Sequence, residues 1–246
     1  MISFIVPAFN EGLTILETVE TIRTVTSANN IRDYEIIPID DGSTDGSSDI
    51  LGKLAEEDPC IRPIYHEENK GLGKSIVDGI HKATKDRFIV VPGDNDISTE
   101  SLNLMLHYRD SAELILTVPM NKENRTIGRQ IISAIYQIMH NALFGTSVGY
   151  LNGPGIWPTD KARKLNLRSN RFSIISEMNV KLLSAGVAFA EVPIYVQADE
   201  PTRATVTWKN LREVIKIFMM LVVDLNFKID NRNKHPLNRV KIDFSK

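Results

Sequence analysis

The amino-acid sequence predicts an α/β fold, in which a mostly parallel central sheet is flanked by helices. Short apolar runs alternate with helical apolar periods between residues 2 and 118. A polar, glycine-containing turn closes several of the apolar runs, which is typical of strands that lead into crossover helices. The length of 246 residues and the hydrophobic fraction of 42% are enough for one large domain with a buried core.

Each element follows from its local pattern. The apolar runs predict strands over residues 2–7, 34–39, 61–65, 87–91 and 112–118. Apolar residues at a spacing near 3.6 predict helices over residues 13–23, 47–57, 75–84, 101–108 and 130–143. A further helix is expected to begin at or just after Glu177 and to end near Gly186.

Acidic side chains follow two of these strands. They are Asp40, Asp41, Asp45, Asp94 and Asp96. Because ligands of open α/β sheets bind at the carboxyl ends of the strands, these carboxylates are expected to converge on one crevice. Their mutual repulsion predicts a compensating divalent cation, and Mg²⁺ or Mn²⁺ bound to a diphosphate suits oxygen ligands. The alternative interpretation is that these residues only form turns and cap helices.

Four motifs in this order carry a resemblance to a known family. They read Val6-Pro7-Ala8-Phe9-Asn10-Glu11, Asp40-Asp41-Gly42-Ser43-Thr44-Asp45-Gly46, Asn69-Lys70-Gly71-Leu72-Gly73 and Gly93-Asp94-Asn95-Asp96. The chain resembles the family 2 glycosyltransferases, which implies the GT-A fold with its Rossmann-like nucleotide-binding half. Within that family it looks most like the dolichyl- or polyprenyl-phosphate mannose and glucose synthases.

The resemblance implies roles for particular residues on the donor side. Nucleotide-binding residues would be Pro7, Ala8, Phe9, Glu11, Asp41 and Asp94. Asp94-Asn95-Asp96 stands where the family has its Asp-x-Asp motif, so Asp94 and Asp96 would bind Mg²⁺ or Mn²⁺, with Asp96 as the principal ligand. Such a cation would neutralise the charge that develops on the leaving diphosphate. For Asp96, the alternative is a helix cap.

The resemblance also implies a set of residues for the acceptor phosphate or the diphosphate. These are Arg125, Arg129, Ser133 and Arg203. Two arginines four residues apart share a helix face and suit bidentate contact with a phosphate. The alternative for Arg125 and Arg129 is a solvent-facing basic start to an amphipathic helix.

Glu177 is a candidate catalytic residue with more than one interpretation. In many inverting family members a carboxylate at this place is a general base, which would deprotonate a sugar hydroxyl before attack. A phosphate acceptor is already an anion, and Glu177 would then only position other groups. A third interpretation is that Glu177 only stabilises the helix, as a negative side chain near the positive end of the helix dipole.

The residues beyond position 202 are more basic than the rest. Residues 203–246 contain ten basic and four acidic residues, a net charge of +6 within a chain of net charge −2. Residues 208–227 show helical spacing with Lys and Arg between apolar positions, which is typical of an amphipathic helix on an anionic membrane surface. Packing on the core is the alternative. We therefore expect a catalytic domain over 1–202 and a basic amphipathic tail over 203–246.

The expected function is that of a metal-dependent inverting glycosyltransferase. It would move a hexose from a nucleotide-diphosphate sugar to a polyprenyl phosphate at the cytoplasmic face of a membrane. One alternative is a sugar-hydroxyl acceptor in cell-surface polysaccharide or glycan synthesis, and another is a nucleotide-sugar-binding scaffold without transfer activity.

Other functions and locations are disfavoured by the sequence. No Gly-x-Gly-x-x-Gly follows the first strand, which disfavours a dehydrogenase. The balance of 29 basic and 31 acidic residues gives no reason to expect nucleic acid as a partner. We expect neither a secretory signal nor a transmembrane helix, and the single Cys60 suggests a reducing, cytoplasmic compartment.

Overall fold

A computed structural model describes residues 1–121, 127–171, 173–195, 208–223 and 236–244. Within these residues, seven strands form one sheet in the order β3-β2-β1-β4-β6-β5-β7. The strands are β1 (Ile2–Ala8), β2 (Tyr34–Asp40), β3 (Ile64–Tyr65), β4 (Arg87–Val90), β5 (Leu114–Pro119), β6 (Gly155–Pro158) and β7 (Phe189–Ile194). The helices are α1 (Thr14–Ala28), α2 (Ser47–Glu57), α3 (Leu72–Lys82), α4 (Thr99–His107), α5 (Ile127–Phe144), α6 (Thr159–Arg163), α7 (Ser173–Ser184) and α8 (Trp208–Val223).

The sheet is mostly parallel, as the sequence predicts. Strand β1 pairs in parallel with β2 and β4, β2 with β3, and β5 with β7. Only β6 among the described strands runs antiparallel, between β4 and β5. The sequence analysis does not predict β6, because four residues with Gly155 at their start give no period that could be recognised.

The core lies on both faces of the sheet. Along β1, Phe4 and Val6 belong to one buried apolar cluster, whereas Ile5 belongs to the other. Successive side chains of a strand point to opposite faces, so the two clusters fill the two sides of the sheet. Helices α1, α2 and α4 contribute to the first side, and α3, α6, α7 and α8 to the second. Strands covered on both faces explain the uninterrupted apolar runs of the sequence.

Among the elements whose bounds differ from the sequence prediction, β3 and α7 bear on the site. The third strand is only Ile64–Tyr65, and the earlier Ile61 contributes an isolated bridge to Ile36. Helix α7 begins at Ser173, so Glu177 lies one turn inside it rather than at its start. Helix α8 is described over Trp208–Val223, and the predicted continuation to residue 227 lies outside the described residues.

The described C-terminal residues pack on the rest of the chain. Ile217 and Leu221 of α8 are buried in the same cluster as Phe189 of β7. Further along, Phe189 donates its N–H to the Asn238 carbonyl, and Val240 donates to the Phe189 carbonyl. The division into domains 1–202 and 203–246 stays a prediction. Among the described helices, none is both long and apolar enough to cross a membrane.

Candidate functional site

The candidate site lies where β1 and β4 are neighbours at the middle of the sheet. From β1 the chain connects to β2 on one side, and β4 pairs with the other side of β1. A crevice opens at the carboxyl ends of strands where the direction of connection reverses, and this is where open α/β sheets bind ligands. Phe9 to Gly12 follow β1 at this point, and Asp94 to Asp96 follow β4.

Gly93 brings the turn after β4 close to β1. Its N–H donates to the Pro7 carbonyl over 3.0 Å, and its carbonyl accepts the Thr18 hydroxyl over 3.0 Å. A Cβ at position 93 would lie 3.0 Å from the Ala8 Cβ and 3.2 Å from the Pro7 carbonyl oxygen. A side chain here would therefore push Asp94 to Asp96 away from the end of β1.

The turns after β1 and β2 are tied together by side chains. The Asn10 N–H donates to the Ser43 hydroxyl over 2.9 Å, and the Asn10 side-chain oxygen accepts the Thr44 N–H over 2.8 Å. Asn10 has a φ of 58°, a left-handed conformation that asparagine tolerates better than most residues. The Gly12 N–H donates to the Ser47 hydroxyl at the start of α2. These bonds hold the turns after β1 and β2 together in the protein without a ligand.

Asp40, Asp41 and Asp45 accept hydrogen bonds from donors in the turns around them. Asp40 accepts hydrogen bonds from the Ser43 N–H and the Ser48 hydroxyl. Asp45 accepts two from Ser47, whose hydroxyl lowers the pKa of Asp45. Asp41 is 4% exposed and accepts the backbone N–H groups of Lys70 (2.9 Å) and Gly71 (2.8 Å). The expected repulsion at this edge is therefore relieved in part by N–H and O–H donors.

Asp94 and Asp96 are placed differently. Asp96 is exposed, Asp94 is half-buried, and the Asp96 N–H donates to an Asp94 carboxylate oxygen over 3.3 Å. Between them, Asn95 has a φ of 55°, and its side-chain oxygen is buried without a partner among the described residues.

This turn fits a divalent cation that is shared with a ligand. Across the described part of the chain, no group of three or more His, Cys, Asp or Glu side chains could hold a metal ion by itself. Mg²⁺ is commonly held by one or two carboxylates together with substrate phosphates, so two acids in this turn are a sufficient protein contribution.

The predicted nucleotide-binding residues lie around the same crevice. Pro7 and Ala8 are buried in β1, and the Ala8 carbonyl accepts the Asp41 N–H over 2.9 Å. Phe9 is 44% exposed directly beyond the strand, and Glu11 is half-buried. An exposed aromatic ring next to the crevice offers a surface on which a nucleobase could stack.

His66 is a residue of this site that the sequence analysis does not predict. It follows β3 directly, is 8% exposed, and places its Nδ1 2.7 Å from an Asp41 carboxylate oxygen. Its Nε2 lies 3.1 Å from a carboxylate oxygen of Asp78 on α3. The rule that polar residues follow strands at the ligand edge would have included His66, had it been applied to the short third strand.

Glu177 of α7 lies in a second polar cluster, which includes Lys181 and the loop at Arg168 and Ser169. It is fully buried, and its carboxylate accepts the N–H groups of Arg168 (3.1 Å) and Ser169 (2.9 Å). Lys181, one helical turn further on, donates to the same carboxylate over 2.5 Å. The Asn170 carbonyl then accepts the Gly73 N–H over 3.0 Å. This geometry favours the positioning interpretation of Glu177 over the general-base one.

The predicted acceptor residues are only partly described. Ser133 is half-buried on α5. Arg129 belongs to the same helix, but its side chain lies outside what the structure describes, as do Arg125 and Arg203 altogether. The acceptor roles of all four residues stay predictions.

Taken together, the order of the strands, the crevice at the reversal point and the acidic turn define a nucleotide-binding α/β protein. Residues 3–159 match Glycosyl transferase family 2. The chain therefore belongs to the family 2 glycosyltransferases.

Two curated relatives show where within the family the similarity lies. The dolichol-phosphate mannosyltransferase of Mycosarcoma maydis is 25% identical over 231 residues, which are 88% of this chain and 78% of that protein. The undecaprenyl-phosphate 4-deoxy-4-formamido-L-arabinose transferase of Serratia proteamaculans is 26% identical over 151 residues, 60% of this chain and 45% of that protein. The chain thus spans less than half the length of the second relative.

A solved structure supports the fold. Glucosyl-3-phosphoglycerate synthase from Mycobacterium tuberculosis, in complex with Mn²⁺, UDP and phosphoglyceric acid, superposes with a TM-score of 0.64 at 16% identity. The superposition covers 90% of this chain and 78% of that one. The chain has the GT-A fold that the sequence resemblance implies.

Proposed function

We propose that this protein is a metal-dependent inverting glycosyltransferase, which moves a hexose from a nucleotide-diphosphate sugar to a polyprenyl phosphate. The observation that carries the proposal is the Asp94-Asn95-Asp96 turn, with Asp96 exposed, at the reversal point between β1 and β4. In a chain of family 2, this turn is the natural place for a metal-bound diphosphate.

On the donor side, the residues of the crevice bind and orient the nucleotide. Phe9 offers its exposed ring to the base, Asp41 accepts a hydrogen bond from the base or the ribose, and Glu11 lies beside them. Asp94 and Asp96 would hold Mg²⁺ or Mn²⁺, which supplies charge neutralisation at the diphosphate when bound. The fixed turns after β1 and β2 contribute binding without reorganisation, because their hydrogen bonds exist before the ligand arrives.

On the acceptor side, a phosphate is favoured over a hydroxyl. A phosphate oxygen attacks the anomeric carbon opposite the departing diphosphate, so one C–O bond forms as the other breaks and the configuration inverts. No proton has to be removed from a phosphate anion, and Glu177, the candidate base, is buried with its carboxylate bound to two backbone N–H groups and Lys181. The proposed ligands of the acceptor phosphate or the diphosphate are Arg125, Arg129, Ser133 and Arg203. The names of the two curated relatives, which act on dolichol phosphate and undecaprenyl phosphate, support this acceptor class.

Asp96→Ala tests the donor half of the proposal. We expect the release of nucleoside diphosphate from a UDP- or GDP-sugar with Mg²⁺ or Mn²⁺ to fall by about a hundredfold or more, since the site loses its principal charge-stabilising ligand. Asp110→Ala, which removes a surface acid whose described ion pair is with Arg109, is the matched control and should retain activity. Full turnover in Asp96→Ala would refute the proposed metal role.

The same assay separates the acceptor classes. Radiolabelled sugar should appear in the organic phase when a short-chain polyprenyl phosphate is supplied, and not on an oligosaccharide. Transfer to the oligosaccharide alone would favour the polysaccharide alternative. Binding of the donor without turnover on either acceptor would favour the scaffold.

Peripheral contact with the cytoplasmic face of a membrane is part of the same proposal, because a polyprenyl acceptor is embedded in lipid. Helix α8 exposes the apolar side chains Ile215 and Met219 next to the charged Arg212 and Lys216. Helix α5, whose Phe144 packs edge-to-face on Phe218 of α8, exposes the apolar Ile138 as well. Basic and apolar side chains on one surface are typical of helices that bind anionic lipid.

Lys216→Glu tests the membrane contact. In vesicle co-sedimentation, we expect the wild-type protein to bind phosphatidylglycerol vesicles better than phosphatidylcholine vesicles. The variant should bind the anionic vesicles about tenfold more weakly, because each basic group near the surface contributes about 1 kcal/mol and the reversal also adds repulsion. Lys53→Glu, on the exposed face of α2, is the control and should leave binding unchanged. Equal binding by both variants would contradict contact through α8.

A further inference from the structure

The imidazole of His66 lies between two carboxylates. Nδ1 is 2.7 Å from Asp41, and Nε2 is 3.1 Å from Asp78. The side chains of His66 and Asp41 are only 4% and 5% exposed, whereas that of Asp78 is 25% exposed and also pairs with Lys74 over 2.5 Å. The contact with Asp41 is therefore the buried one of the two.

In the contact between His66 and Asp41 the ring nitrogen is the donor, because a carboxylate only accepts. Of the two acids, Asp41 has no other ionic partner among the described contacts, since its remaining donors are the backbone N–H groups of Lys70 and Gly71.

Three donors thus fix the Asp41 carboxylate in one orientation. His66 and the Lys70 N–H share one oxygen, and the Gly71 N–H binds the other. Gly42, the residue after Asp41, approaches the backbone of the same loop closely, because a Cβ at Gly42 would lie 2.7 Å from the Glu68 carbonyl carbon. Movement of Asp41 would therefore release the loop that borders the donor crevice.

We propose that His66 is a positioning residue of the donor site, which holds Asp41 and, through Asp41, the Lys70–Gly71 backbone in the arrangement that binds a nucleoside diphosphate. The inference rests on the proposed function, because it assumes that Asp41 borders the nucleotide. The competing explanation is that His66 only links β3 to α3 through Asp78.

Two substitutions of His66 separate these explanations. The amide nitrogen of asparagine is two bonds from Cβ, as Nδ1 is, so His66→Asn keeps a donor towards Asp41 and loses the reach to Asp78. The amide nitrogen of glutamine is three bonds from Cβ, as Nε2 is, so His66→Gln keeps a donor towards Asp78 and withdraws it from Asp41. Both variants remove the ring, and each is therefore the matched control of the other.

Isothermal titration with UDP and with GDP, in the presence of MgCl₂, measures the effect. For whichever nucleotide the wild-type protein binds, we expect His66→Asn to bind within about threefold of wild type. His66→Gln should bind about tenfold more weakly, because the buried Asp41 carboxylate loses a donor. Asp78→Asn should bind as wild type does.

Any other order of the nucleotide affinities of these variants contradicts the proposal. Equal affinities of the two His66 variants, or weaker binding by His66→Asn, would show that the link to Asp78 or the loss of the ring matters instead. Loss of the folded state in both variants would make His66 a residue of folding rather than of positioning. A wild-type protein that binds neither nucleotide would refute the proposed donor function itself, and that outcome is distinct from the others.

Discussion

At the scale of single residues, acidic side chains near the carboxyl edge of the sheet have two kinds of surroundings. Asp40, Asp41 and Asp45 accept hydrogen bonds from nearby N–H and O–H groups and thereby hold turns in place. Asp96, by comparison, is exposed at the end of the acidic turn after β4. A carboxylate that accepts several N–H and O–H groups stabilises a turn, whereas an exposed carboxylate next to a crevice is accessible to a cation.

Glu177 belongs to the first kind, and its variant has a measurable consequence. We expect Glu177→Gln to lower the free energy of unfolding by about 3 kcal/mol, because the neutral amide cannot compensate the buried charge of Lys181. In addition, the amide NH₂ group would face the N–H groups of Arg168 and Ser169, which are donors themselves. Urea denaturation measures the change. The double variant Glu177→Gln/Lys181→Met should recover part of the loss, since it also removes the uncompensated ammonium group.

The same variant discriminates between the two roles of Glu177. Unchanged stability together with lost turnover would contradict the positioning role and support a general base. Reduced stability with turnover retained at low temperature agrees with a phosphate acceptor.

At the scale of elements, the start of α3 is held by an unusually close backbone approach. The Gly73 N–H donates to Asn170, and a Cβ on Gly73 would meet the Ser169 carbonyl oxygen and lie 2.7 Å from the Asn170 carbonyl carbon. Glu177 holds the same segment from its other side through the Ser169 N–H. Helices α3 and α7 are therefore coupled through one loop, and the Lys70–Gly71 backbone lies just before that contact.

Gly73→Ala is expected to lower the free energy of unfolding by about 2 kcal/mol, because backbone rather than a flexible side chain must move to admit the methyl group. Gly52→Ala, in α2, is the control. Its Cβ would meet only the Tyr65 hydroxyl at 3.8 Å, so the substitution should stabilise the protein by about 1 kcal/mol through helix propensity. Urea denaturation compares the two, and equal effects would contradict the close approach.

At the scale of the whole molecule, the stability of the domain should depend on pH through His140. This residue of α5 is fully buried, and its ring packs 5.0 Å from that of Phe218 on α8 and 5.4 Å from that of Phe144. Burial lowers the pKa of His140 from 6.5 to about 4. Its Nε2 has no partner among the described residues.

The free energy of unfolding should therefore fall as the pH drops below about 6.5, since the unfolded chain takes up a proton that the folded protein refuses until about pH 4. The full effect is about 3 kcal/mol. Chemical denaturation of wild type and His140→Phe between pH 7.5 and 4 measures it. The variant should lose less stability than wild type over this interval, because the carboxylates titrate equally in both. Parallel profiles would contradict the buried neutral imidazole.

Much of the fold and part of the site follow from local patterns in the chain. Apolar runs, helical periods and the polar turns between them predict a mostly parallel sheet, and the structure confirms this sheet. The turn Asp94-Asn95-Asp96 could be singled out because its three residues are adjacent in sequence. Local information is enough here, since strand and helix periods and turn residues act over a few positions.

The partners of the buried polar groups could not be predicted in this way. Asp41 accepts the N–H groups of Lys70 and Gly71, which lie 29 and 30 residues further along the chain. His66, which contacts Asp41, follows a strand of only two residues. The role of Glu177 likewise depends on the loop at Arg168 and Ser169, whose N–H groups point at it only after α7 has packed. Burial and hydrogen bonding between distant segments are set by the packing of whole elements, and no local period of the sequence records them.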